Sequence, residues 1–298
     1  MRKSLLLLFS ILLTQLSYAC LNEYKTLLNG KVVYEGFISG KVRTKEIDSL
    51  KLKKQSENLL KQYLITDSIA YYSDYATTLT YLGEYQKAKT IFIEIEQNSP
   101  HLYTTASNLG TIYELIGKPD SALIWIKKSI ALNPNSHNGS EWIHIKILEY
   151  KLSGKSDVNM SILDLDFGNN KIPENTHNYD LNNIRNHIFH QLEERTIFVK
   201  PENKIVGNLF FDLGNVLAIT WDVQTALESY EEARKYGFNS ELMKLRSKEF
   251  EKLALKTVPY QILMDNKNLI RKYWIPFIII SILSLYFLLK SIKKRKSN

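Results

Sequence analysis

The chain has 298 residues, 44% apolar and 23% charged, with only 12 glycines and 7 prolines, the composition of an ordinary folded protein with room for one large or two small domains. Its formal net charge of +8 sits at the ends: Arg2, Lys3, Lys290, Lys293, Lys294, Arg295 and Lys296 leave about +1 on the body, which removes the main electrostatic argument for nucleic-acid binding. A single cysteine excludes an intrachain disulfide, so the folded part must hold together by packing.

Residues 1–19 have a charged start, an apolar core from Leu5 to Leu13 and Ser17-Tyr18-Ala19 before a cleavage point, the pattern of a secretory signal peptide. Cys20 follows at once. Its placement resembles the lipidated cysteine of bacterial lipoproteins, which carry a leucine-like residue where this chain has Ser17. Lipidation of Cys20 and ordinary cleavage after Ala19 both stand as readings.

Residues 20–66 are expected to form an N-terminal arm and a capping helix. Asn29-Gly30 is a turn signal, and the flanking β-branched and aromatic residues suit a short hairpin or extended arm. Ile47, Leu50, Leu59, Leu60 and Tyr63 then recur at helical spacing.

From Ile69 to Ser136 the chain repeats itself at 34 residues. Gly83 falls on Gly117, Ala88 on Ala122, Phe92 on Ile126 and Pro100 on Pro134; Tyr75, Ala76 and Leu79 fall on Leu109, Gly110 and Tyr113. Each period (69–102 and 103–136) predicts two helices. The first is amphipathic (Tyr72, Tyr75, Leu79 and Leu82 in the first period), a glycine sits at its C-cap, and a proline stops the second.

Residues 137–206 blur the pattern. Helices are predicted over Glu141–Leu152 and Asp180–Phe198, with a polar excursion from Lys155 to Tyr179 between them. The skeleton returns over 207–240 (Phe210, Leu213, Gly214, Leu217, Ala226, Tyr230, Ala233), 104 residues after the second unit. Near-integral spacing places degenerate repeats in the gap. Residues 241–272 read as a capping helix and linker. An apolar run over 273–292, opened by Tyr273 and Trp274, is long enough to span a bilayer, and the basic tail 293–298 stays cytoplasmic by the positive-inside rule.

A 34-residue period with this punctuation resembles the tetratricopeptide repeat (TPR), one helix–turn–helix per period. The resemblance implies an all-α, right-handed solenoid of helical hairpins, here with a short N-terminal arm and a C-terminal transmembrane helix. It also implies a concave groove lined by the first helix of each unit. The positions carried over are Ala70, Ser73, Thr77 and Thr80; then Thr104, Ser107, Thr111 and Glu114; then Asn208, Phe211, Asn215 and Ala218. Members that clamp a peptide carboxylate use lysine or arginine at such places. This chain has none there, so the floor suits a neutral extended segment or the chain's own arm, Lys31–Val42.

Chemistry-bearing patterns are sparse. His187, His190 and Glu194 share a helix face at a spacing suited to a metal, but no further His or Cys completes a site, so we read a solvated face. Residues 164–170 are faintly like a calcium loop, but Gly168 and Asn175 stand where ligands are needed, so we read a turn. With no phosphate-binding glycine loop, no Gly-x-Ser-x-Gly elbow and no cysteine placed to act with a histidine, no enzyme activity and no cofactor are expected.

The expected function is a membrane-tethered scaffold for an unidentified protein or peptide partner, with the helical domain on the periplasmic side of the bacterial inner membrane. The alternatives are a metal- or carboxylate-dependent enzyme sited in 137–206, or a self-associating envelope protein forming a homo-oligomer. If the source is eukaryotic, the tail Arg295–Asn298 resembles an endoplasmic-reticulum retrieval signal instead.

Overall fold

The computed structural model describes residues 22–36, 38–42, 44, 46–155, 160–259 and 261, with scattered positions between 267 and 286. The expected signal segment, Cys20 and the basic tail lie outside the described residues, as do twelve of the twenty residues of 273–292. Among the described residues no helix is long and apolar enough to cross a membrane. The chain divides into two units, 1–37 with 252–298, and 38–251.

The first unit contains an antiparallel hairpin of β1 (Asn22–Thr26) and β2 (Val32–Gly36), paired from Asn22 opposite Gly36 to Thr26 opposite Val32. The turn closes through Leu27 N donating to Lys31 O and Gly30 N donating to Leu27 O, both 2.8 Å. Tyr24 and Tyr34 face each other across the ladder with ring centroids 4.9 Å apart. This hairpin qualifies the all-α expectation.

The second unit is a row of helical hairpins. Its helices are α1 (Ser49–Thr66), α2 (Ile69–Tyr81), α3 (Tyr85–Asn98), α4 (Tyr103–Leu115), α5 (Pro119–Leu132), α6 (Glu141–Leu152), α7 (Leu181–Phe198), α8 (Lys204–Thr220), α9 (Val223–Lys235) and α10 (Glu241–Ala254). Local chemistry sets their starts. Asp48, Asp180, Asn203 and Asp222 cap α1, α7, α8 and α9 by accepting backbone N–H bonds, and Pro119 opens α5 where its missing N–H costs nothing.

The turns inside the two sequence repeats are equivalent. Gly83 and Gly117 take φ of +81° and +76°, a backbone that a side chain would strain. Ala76, Leu79, Ala88, Ile91, Phe92, Ile95, Leu109 and Ile112 form one core across α2, α3 and α4. Full burial of Phe92 alone contributes roughly 1.5–3 kcal/mol. Gly110 lets α4 and α5 close: a Cβ there would lie 2.4 Å from Ile126 Cδ1. Helix α8 differs from the others, since every residue from Val206 to Ala218 is buried.

Candidate interaction faces

The first helices of successive hairpins, α2, α4 and α6, lie side by side. Asn108 Nδ2 donates to Thr77 Oγ1 (3.4 Å), and Ser107 Oγ donates to Glu141 Oε1 (3.2 Å), linking residues 31 and 34 apart. The sequence-derived groove residues fall into three different settings along this row.

Ser73, Thr77 and Thr104 are half-buried or exposed. Thr77 Oγ1 also donates to Ser73 O (3.0 Å), so part of its hydrogen-bonding capacity is spent within the helix. Thr80 is buried and donates to Ala76 O. Ser107 and Thr111 border a second setting, an ionic cluster that the sequence reading missed apart from noting Glu114.

Glu114 is the hub of that cluster. Arg195 Nη1 donates to both of its carboxylate oxygens (2.9 and 3.2 Å), Lys151 Nζ lies 2.6 Å from Oε1, and His144 Nε2 lies 2.6 Å from Oε2. Burial by itself would raise this carboxyl, but Arg195, His144 and Lys151 outweigh it and hold the group well below the usual carboxylate range. Beside it, Glu141 Oε1 meets His137 Nδ1 at 2.6 Å. Burial again opposes ionisation, and the bonds from His137 and His144 more than reverse it. His137 is raised in turn, chiefly by its bond to Glu141. These groups border a cavity of about 210 Å³, with Thr111 and Gln191 also on its wall.

Helix α7 supplies the other side of the cavity. It crosses the row: Trp142 Nε1 donates to His187 Nδ1 (2.9 Å), Gln191 donates to Ser140 Oγ (3.1 Å), Arg195 reaches Glu114, and the Phe198 ring stacks on Tyr81, centroids 5.4 Å apart. Because an indole only donates, His187 Nδ1 carries no proton, in keeping with the lowering of this histidine by burial. His190 packs its ring 5.6 Å from that of His137, and Glu194 borders the cavity. Among the described residues no group of three His, Cys, Asp or Glu is arranged to hold a metal ion.

The third setting is the inward face of α8, where Asn208 and Asn215 are almost wholly buried together with Asp212. The chain's own segment Met160–Asn170 lies on Asn208 and Asp212, while Asn215 accepts from Tyr230 and Arg246. Asn208 Nδ2 donates to Met160 O (2.9 Å) while its Oδ1 accepts from Ile162 N (3.0 Å), and Ser161 Oγ donates to Asp212 Oδ2 (2.6 Å). From α10, Arg246 donates to the carbonyls of Phe167 (3.0 Å), Gly168 (2.6 Å) and Asn170 (3.0 Å) and to Asn215 Oδ1 (2.7 Å). Ile162, Leu163 and Phe167 are buried. The polar excursion of the sequence is therefore built into the fold, and Asp166 closes a turn by accepting from Gly168 N.

The arm expected in the groove of the first two units lies elsewhere, as far as its described residues in this unit show. Ser39 Oγ and Gly40 N donate to Glu228 on α9, Thr225 Oγ1 donates to Ile38 O, and Thr44 meets Thr196 on α7. Backbone groups of Gly40 and Ile38 find an acceptor and a donor on α9.

No protein-family model and no curated protein matches the chain. Among solved structures it is similar to a crystal structure of a tetratricopeptide repeat protein from Parabacteroides merdae, at 16% identity, over 70% of this chain and 94% of that chain, with a TM-score of 0.34. The 34-residue period and the packing of α2 to α5 are this chain's own grounds for the same reading. It is built of helical hairpins that resemble tetratricopeptide repeats.

Proposed function

We propose that the protein is a membrane-tethered scaffold that binds a protein partner on the extracytoplasmic side of the membrane. One observation carries the partner: large apolar side chains stand exposed at successive turns between hairpins. They are Leu64 and Ile65 at the end of α1, Ile69 and Tyr71 at the start of α2, Leu102 and Tyr103 at the start of α4, and Leu132 at the end of α5. The hairpin topology brings these ends to one edge of the row. Recurrent exposed apolar groups on a folded domain mark a surface that another protein covers. The adjoining floor of Ser73, Thr77 and Thr104 is uncharged and hydroxyl-bearing, which suits a neutral extended stretch of that partner.

The tether and its side rest on the sequence: an apolar N-terminal segment with a cleavage pattern, an apolar run over 273–292, and a basic flank after it. Two measurements test the reading. A reporter active only outside the cytoplasm, fused after residue 268, should be active, and fused after residue 298 it should be silent. In-cell crosslinking should trap a partner with the native chain and lose it with Tyr71→Glu and Tyr103→Glu together. An unchanged crosslinking pattern in that variant would remove the edge as the binding surface.

A further inference from the structure

The cavity of about 210 Å³ bordered by α4, α6 and α7 is larger than ordinary packing leaves. Voids in an interior seldom exceed one water, and this one has room for roughly seven. Four of the charged side chains on its wall, Glu114, Glu141, His144 and Arg195, are nine-tenths or more buried. Buried charges that converge on a cavity are the usual setting of a ligand site.

All but one of the charged groups on that wall are matched. Arg195, Lys151 and His144 surround Glu114, while His137 and His144 hold Glu141. Glu194 is the exception. It lines the cavity half-buried, and among the described residues it makes no hydrogen bond or ion pair. Its charge touches His137 only at longer range: that histidine is raised first by its bond to Glu141, against burial, and lastly by Glu194.

Beside this carboxylate the wall turns apolar. Leu115, Phe198 and Val199 complete it, and the Phe198 ring is held by its stack on Tyr81. The Tyr81 hydroxyl is raised by burial and then by the charge of Glu194, which sets the carboxylate and the ring pair side by side. A carboxylate with no ion-pair partner next to an aromatic face draws an organic cation, through its charge and through the ring quadrupole together. The aliphatic wall suits a short alkyl chain.

We propose that this cavity binds a small organic ammonium ion, a primary amine on a short alkyl chain, with Glu194 as its counter-ion and Leu115, Phe198 and Val199 around the chain. The groups that recognise it lie on α7, directly after it and at the end of α4. None belongs to the apolar edge, so this site stands or falls separately from the partner surface.

The test is calorimetric titration of the full-length protein, with the solubilising detergent alone as blank. The probes are n-pentylammonium, 1-pentanol and pentanoate, which share a chain and differ in charge. Pentylammonium should bind saturably, with a dissociation constant of about 1 mM or tighter. Pentanol should bind about tenfold more weakly or worse, and pentanoate not at all. Glu194→Gln should weaken pentylammonium about tenfold or more and leave helical circular dichroism unchanged, since Glu194 makes no bond that the fold would lose.

Equal affinity for pentylammonium and pentanol would overturn the proposal. So would full affinity in the Glu194→Gln protein, or no saturable binding up to about 10 mM. If that variant loses its helical signal, the comparison of the three probes on the native protein decides alone.

Discussion

Arg195 and Glu114, 81 residues apart, meet through two hydrogen bonds from one guanidinium nitrogen to both carboxylate oxygens. The pair joins α7 to α4, and Lys151 and His144 complete the neutralisation of Glu114 from α6. Such a cluster is costly to break from one side, because the groups left behind remain buried and unpaired.

Replacing Glu114 by Gln strands Arg195, His144 and Lys151 together, and should cost about 3–5 kcal/mol in urea unfolding. Arg195→Met should cost less, since Lys151 and His144 still face the carboxylate. The double variant should recover about 1–3 kcal/mol relative to the sum of the singles. Additive losses would show that the two residues act separately.

The same cluster sets a pH window. Glu114 and Glu141 titrate below their ordinary value of 4.5, so their contribution is present above about 4.5 and is lost as pH falls through the lowered values. His137 titrates above its ordinary 6.5, so its contribution is full below 6.5 and is lost as pH rises through the raised value. Thermal stability should peak between those limits. Glu141→Gln should flatten the alkaline side, because His137 then loses the hydrogen-bonded carboxylate that chiefly holds its proton and keeps only the more distant Glu194.

Asp212 has the opposite sign from Glu114 and Glu141. Burial pushes it up to about 7, against the opposing pull of Ser161 and Arg246. The folded state therefore holds this proton more tightly than the unfolded chain, and stability declines as pH rises from about 4 to 7, by at most about 1.4 kcal/mol per pH unit. Asp212→Asn keeps an acceptor for Ser161 and should remove that slope in denaturation curves collected across the range. A slope unchanged in the variant would mean that another group causes it.

Gly110 tests the packing of the hairpins. The added methyl of Gly110→Ala would lie 2.4 Å from Ile126 Cδ1 and 2.6 Å from its Cγ1, so the change should destabilise by about 1–3 kcal/mol. Removing that Cδ1 with Ile126→Val should return part of the loss when combined with Gly110→Ala. A double variant no better than the single would mean that the strain falls on the Ile126 backbone, whose nitrogen lies 3.3 Å from the same methyl.

The hairpins were legible because their causes are local and recur. Apolar spacing, Gly83 and Gly117 at equivalent turns, and Ala88 and Ala122 at equivalent contacts all repeat at 34 residues. The candidate faces were not legible for the same reason reversed. Arg195 reaches Glu114 across a non-repeating insertion, and no period links them. A signal did exist on α8: Asn208, Asp212 and Asn215 stand at one face of a helix otherwise filled by Leu209, Phe210, Leu213, Val216 and Leu217. Three polar residues at that spacing require polar partners, but nothing in the chain's patterning says that these are Met160–Ile162 for Asn208 and Asp212, and Tyr230 and Arg246 for Asn215.

In an ideal solenoid each repeat touches only its neighbours, so the array melts in steps and frays from its ends. Helix α7 removes that independence here. It is fastened to the start of α6 through Trp142, to α4 through Glu114 and to the end of α2 through Tyr81. The first hairpin cannot detach without breaking the Phe198–Tyr81 stack, and α7 cannot detach without exposing Glu114. A row of semi-autonomous units is thereby cross-braced from α2 to α7, which couples the opening of one hairpin to the loss of contacts in the others.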